Sequence, residues 1–127
     1  MTTVLDSWAV LAYLADDEPA ATLVDELLAK GRPAMCWINL GEVFYVLRRR
    51  HGEEAAASTV RDLREVLAAT LPSSELVISA ARLKAEHSIA YADAFAAATA
   101  IELDATLWTG DAELLITDAP WRWRDLR

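Results

Sequence analysis

The sequence is poor in cysteine, histidine, glycine and proline, and short of cations. Its single cysteine, Cys36 in the apolar run AMCWI, excludes an internal disulfide and reads as a buried, unreactive thiol. The two histidines, His51 and His87, lie far apart in the chain and argue against a zinc site. Four Gly and four Pro in 127 residues exclude a collagen-like, linker-like or disordered chain, and 54% hydrophobic residues suffice for one packed domain over 1–127. No apolar stretch approaches the roughly 20 residues of a membrane span, because Asp16, Asp93 and Glu102 interrupt the longest ones. The opening MTTVLDSW lacks the Lys or Arg of a signal peptide or anchor, so the reading is a cytoplasmic protein without membrane contact. Twelve Lys+Arg against 20 Asp+Glu leave a net charge of −8, the opposite of a broad basic face for nucleic acid. A polyanionic substrate would need positive charge from another source.

What the chain does contain is an alternation of short β-favouring runs and helical segments. Thr2 to Leu5 reads as a strand ending at Asp6, with Ser7 capping a helix over WAVLAYLA. PAATLVDELLAK reads as a helix stopped by Gly31, followed by a strand over 34–38. Asn39 is placed as the cap of a helix that carries Glu42 in its first turn and ends in Arg48-Arg49-Arg50-His51-Gly52. Further helices are expected over 53–67, 75–87 and 91–103, with strands at ATLPSS, ATLWT and WRWRDL. Strands separated by helices imply parallel crossovers, hence an α/β fold: a three-layer α/β/α sandwich around a small, mostly parallel sheet.

In such a sheet the site lies beyond the carboxyl ends of the strands, and acids occupy those positions. Asp6 closes the first strand, Glu42 follows the second, and Asp111 follows TLWT by two residues, while Asp93 opens the helix before that strand. Any one of them is explained by helix capping or the helix dipole. Their apolar surroundings, with no Lys or Arg within five residues of Asp6, Asp93 or Asp111, make the set unusual. Two carboxylates about 4 Å apart repel by roughly 4 kcal/mol at an effective dielectric near 20. A hard divalent cation, Mg²⁺ or Mn²⁺, reverses that sign, brings a phosphate oxygen and a water into reach, and supplies the missing positive charge.

TTVLDSWAVLAYL, NLGEV, AYADAFAAATA and TGD, in that order along the whole chain, resemble the four acidic motifs of PIN-domain nucleases, in particular VapC-type toxins of bacterial toxin–antitoxin pairs. The resemblance implies a Mg²⁺- or Mn²⁺-dependent endoribonuclease that acts on RNA, forms homodimers and is inhibited by a cognate VapB-type antitoxin. It assigns Asp6, Glu42, Asp93 and Asp111 as catalytic metal ligands, Asp6 and Asp93 foremost, with Thr109 and Ser7 as auxiliary hydroxyls. Gly110 departs from the pattern, standing where many relatives carry a larger, often basic residue.

Arg49 and Arg50 are either RNA contacts or a solvated helix end. Arg122 and Arg124, interleaved with Trp121 and Trp123, either stack on bases or belong to an edge strand. Trp8, Leu11, Tyr13, Phe44, Tyr45 and Leu47 either complete the core or form a seam for a second copy or an antitoxin helix. Asp16, Asp17, Asp104 and Asp118 read as surface acids. A PIN-type processing nuclease without a toxin role is the nearest alternative function. A phosphorelay receiver, from a different class, would need an adjacent acidic pair after the first strand and a late Lys, whereas Lys84 is the last one here.

Overall fold

The computed structural model describes residues 2–127. The elements run β1 (Thr3–Leu5), α1 (Ser7–Leu14), α2 (Ala20–Lys30), β2 (Ala34–Cys36), α3 (Trp37–His51), α4 (Glu53–Val66), β3 (Ala68–Thr70), α5 (Ser74–Glu86), α6 (Tyr91–Glu102), β4 (Thr106–Thr109), a 3₁₀ turn (Ala112–Leu114) and β5 (Arg122–Asp125). The strands form one sheet in the order β3-β2-β1-β4-β5, every pairing parallel. All strands therefore end at the same edge.

Successive side chains of a strand point to opposite faces, and the core divides accordingly. Val4 and Leu107 face one half of the core, with Phe95 and the alanines of α6 and Leu76, Ala80 and Leu83 of α5. Leu5 and Met35 face the other half, with Val10, Val24, Leu40, Val43 and Leu63 of α1 to α4. The result is the three-layer sandwich expected, with a fully parallel sheet. Its central strand β1 sends the chain to β2 on one side, whereas β4 arrives on the other. Between β1 and β4 lies the topological switch point at which open α/β sheets place their ligands.

Several local expectations change. Asp6, not Ser7, caps α1: Ala9 N–H donates to Asp6 Oδ1 at 2.9 Å. β2 stops at Cys36 and α3 begins at Trp37, so Asn39 lies inside the helix and Glu42 sits in its second turn. An asparagine with a partner of its own has no need to cap, and buried Asn39 donates through Nδ2 to the carbonyl of Ala92 at 2.9 Å. Ser73 caps α5 through Leu76 N–H. α3 ends where expected, at Gly52, whose φ of 93° is open to glycine at little cost.

The aromatic residues also resolve. Trp121 is buried and its Nε1 donates to Leu114 O, while Arg122 pairs with Asp104 at 3.0 Å, so neither is free for a base. Leu47 is core; Trp8, Leu11, Tyr13 and Phe44 are partly buried against it; Tyr45 alone of that set is exposed. Among the described residues no helix is long and apolar enough to cross a membrane.

Candidate active site

The acids gather where β1, β4 and α6 meet. Asp6 is buried, and both of its oxygens are engaged: Oδ1 accepts from Ala9 N–H, and Oδ2 accepts a very short hydrogen bond from Thr109 Oγ1 at the end of β4. Thr109 Oγ1 in turn accepts from the N–H of Asp111 at 3.0 Å. One hydroxyl, 103 positions from Asp6 in the sequence, thus joins the first acid to the last. Ser7 Oγ donates to Glu42 Oε1 at 2.6 Å, which ties α3 to the start of α1. Asp93, in the first turn of α6, is buried and shares a hydrogen bond with Asp111.

Asp6 and Asp93 each feel the charges of Asp111 and Glu42, although Asp6 and Glu42 stand outside the group of closest carboxylate oxygens, which is made by Asp93, Asp111 and Glu113. Burial pushes the Asp6 carboxyl up to about 7, opposed by its bonds from Thr109 and Ala9 and reinforced by the charges of Asp111 and Glu42. Burial, then the charges of Asp111, Asp6 and Glu42, push Asp93 up to about 8. Desolvation and like charge disfavour ionisation for the same reason that both favour a bound cation. No Lys or Arg forms an ion pair with any of these acids among the described residues.

Two neighbours were not legible beforehand. Glu113 joins Asp93 and Asp111 in a group whose carboxylate oxygens lie within 4.8 Å of one another. It also accepts from the N–H of Ala90, at the head of α6, through Oε2. Asn39 holds the carbonyl of Ala92, one residue before Asp93, and its Oδ1 is buried without a partner. Asn39 precedes Glu42 by three positions and so shares its helix face, which was the one available signal. Glu113 offered none, because its place depends on the turn after β4. Oxygen donors alone, several of them anionic and close together, fit a hard divalent cation and not a soft one.

The predicted basic run is elsewhere. Arg49 lies seven residues past Glu42 on the same face of α3, about 10 Å along the axis, with its guanidinium 5.0 Å from the centroid of the Tyr45 ring. Arg48 pairs with Glu53, and Arg50 is exposed.

The profile of the PIN-domain family matches residues 3–119. The chain belongs to the PIN-domain family. No curated protein matches it by sequence. Among solved structures, this PIN domain is similar to a chain of the VapBC2 complex of Rickettsia felis, bound to a DNA fragment from its promoter, with 19% identity and a TM-score of 0.79 over 100% of both chains. It is also similar to a chain of VapBC-1 from nontypeable Haemophilus influenzae, with 22% identity and a TM-score of 0.75 over 99% of this chain and 98% of the other. A third likeness is to a sarcin-ricin-loop-cleaving VapC toxin of Mycobacterium tuberculosis, with 17% identity and a TM-score of 0.73 over 89% and 92% of the two chains. At these identities the likeness is one of fold, and the acids lie where that fold brings strand ends together.

Proposed function

We propose that this PIN domain is a divalent-metal-dependent endoribonuclease, acting as the toxin of a toxin–antitoxin pair with a VapB-type antitoxin and assembling as a homodimer. The observation that carries the reading is the grouping of the Asp93, Asp111 and Glu113 carboxylates within 4.8 Å of one another, with the charges of Asp6 and Glu42 acting on the same site and no compensating cation among the described residues. The toxin role rests on the company of VapBC complexes and a VapC toxin among the similar folds.

Asp93 and Asp111, in place of the Asp6 and Asp93 expected from the sequence, are assigned as the central ligands of Mg²⁺ or Mn²⁺ because their oxygens group with those of Glu113, while Asp6 and Glu42 add negative charge to the site. A divalent ion there supplies phosphate polarisation, water activation and stabilisation of the leaving oxygen. Thr109 orients Asp6 through its hydroxyl proton, which leaves lone pairs of Oδ2 free to face the ion. Ser7 holds Glu42 in the same way, and Glu113 fixes the head of α6 while adding negative charge. Arg49 and Arg50, at the far end of α3 and away from the acids, are assigned as phosphate contacts for a longer stretch of the RNA.

Asp93→Asn tests the assignment. It keeps the shape of the side chain, removes a charge and is expected to lower metal-dependent RNA cleavage by at least about a hundredfold, in line with losing a directly coordinating group. Cleavage by purified protein, with and without chelator, is the measurement; wild-type rates in the variant would refute it.

A further inference from the structure

The site has a second wall that its acids do not account for. Trp8, two residues past Asp6, is partly buried, and its six-membered ring lies directly over Gly110. A Cβ at position 110 would stand 2.3 Å from Trp8 Cη2 and 2.4 Å from Cζ2. Gly110 separates Thr109 from Asp111, so the indole abuts the backbone link that carries two members of the cluster. On the other side of Thr109, Trp108 packs against the same half of the core as Trp8 and is itself partly exposed. The Arg124 guanidinium on β5 lies 4.5 Å from the centroid of the Trp108 ring. Arg122 and Arg127 are paired with acids, whereas Arg124 forms no ion pair among the described residues.

Given the nuclease reading above, on which this rests, we infer that Trp8 and the Arg124–Trp108 pair form the wall that receives a single-stranded segment of the RNA, with Trp8 stacking on a base next to the bound phosphate. Stacking on an indole face tolerates any base, and a stacked guanidinium can contact phosphate and base alike. Position and charge favour RNA over a protein partner. The indole touches the link between Thr109 and Asp111, and a cation without an acidic partner among the described residues, in a chain of net charge −8, suits a polyanion. Gly110 is then the residue that makes room for the indole.

The test uses two fluorescein-labelled oligomers of equal length, an oligouridylate and a tetrahydrofuran-phosphate chain that has the phosphates but no bases. Binding is measured with Ca²⁺ as the divalent ion, and gels confirm that the oligouridylate stays intact. Wild-type protein is expected to bind the oligouridylate about tenfold more tightly than the base-free chain, within the range of one base–aromatic stack. Trp8→Leu should abolish that difference, and Trp8→Phe should restore most of it. Arg124→Ala should lower the log–log salt slope on both oligomers by about 0.7, the value for one phosphate contact on a single strand. Equal loss on both oligomers in Trp8→Leu, or no loss on either, overturns the inference. So does a change of oligomeric state in Trp8→Leu with unchanged oligomer binding, which would give the wall to a protein partner. If Trp8→Leu binds and cleaves like wild type, the wall fails while the nuclease survives; if wild type neither binds nor cleaves RNA, both fail.

Discussion

Thr109 is the side chain on which the cluster turns. It donates to Asp6 and accepts from Asp111, so its hydroxyl sets the spacing of two acids from different parts of the chain. Thr109→Val keeps the volume and deletes both bonds. Outer partners of metal ligands typically govern affinity by 10–100-fold, and a loss of about tenfold in Mn²⁺ affinity is expected, with Thr109→Ser close to wild type; calorimetric titration measures it. A second residue-scale expectation follows from Asp6 and Asp93, raised to about 7 and about 8. Below those values a proton competes with the cation for the same oxygens, so Mn²⁺ affinity should climb between about pH 6 and pH 9 and level off above, with protons released on binding. Repeating the titration in buffers of different ionisation enthalpy counts those protons, and an affinity flat across that range would contradict the pairing of burial with metal binding.

At the scale of elements, α1 and the turn after β4 fit each other through one missing side chain. Gly110→Ala would drive a methyl group into the Trp8 ring. Overpacking of this kind costs about 1–3 kcal/mol, readable as a lowered midpoint of urea unfolding, and Gly110→Ala combined with Trp8→Ala should recover part of it. The chain's order of strands and helices was legible because β1, β2 and β4 carry apolar runs and three of the helices end at clear stops: Gly31, Gly52 and the acidic Asp16-Asp17-Glu18. Cap positions were less so. Asp6 and Ser7 are both good capping residues, and only the tertiary partner, Glu42 for Ser7, decides between them. Asn39 misled for a related reason, since its amide is spent on α6 and not on its own helix. Asp6 and Asp111 were legible as candidates because each follows the carboxyl end of a strand, whereas the positions of Glu42 and Asp93 depend on how α3 and α6 pack. Glu113 could not, as the 3₁₀ turn that aims it is fixed by Asp111 capping Glu113 N–H and by buried Leu114.

For the whole molecule, the charge gathered at one sheet edge affects stability. Asp6 and Asp93 hold protons more tightly folded than unfolded, where carboxyls titrate near 4. Between about pH 4 and pH 8 the folded chain therefore carries more protons than the unfolded one, and stability without metal must fall as pH rises through that window. In chelator, thermal unfolding should occur at lower temperature near pH 8 than near pH 5, and Mg²⁺ or Mn²⁺ should recover more at the higher pH. Asp93→Asn should raise the metal-free Tm near pH 8, by about 4 °C for each kcal/mol of repulsion relieved. A variant no more stable than wild type there would mean the acids are already screened by solvent.

The adjacency of β1 and β4 also bears on synthesis. Asp6 and Thr109 are 103 positions apart, yet they share a hydrogen bond in neighbouring strands. At roughly 5–20 residues per second, a ribosome spends about 5–20 s between making the two. During that interval the emerging chain gains Glu42 and then Asp93, but it has no β4 to align against β1, and no Asp111. The cluster is therefore complete only once translation has passed Asp111, because no earlier stretch of the chain holds all four acids.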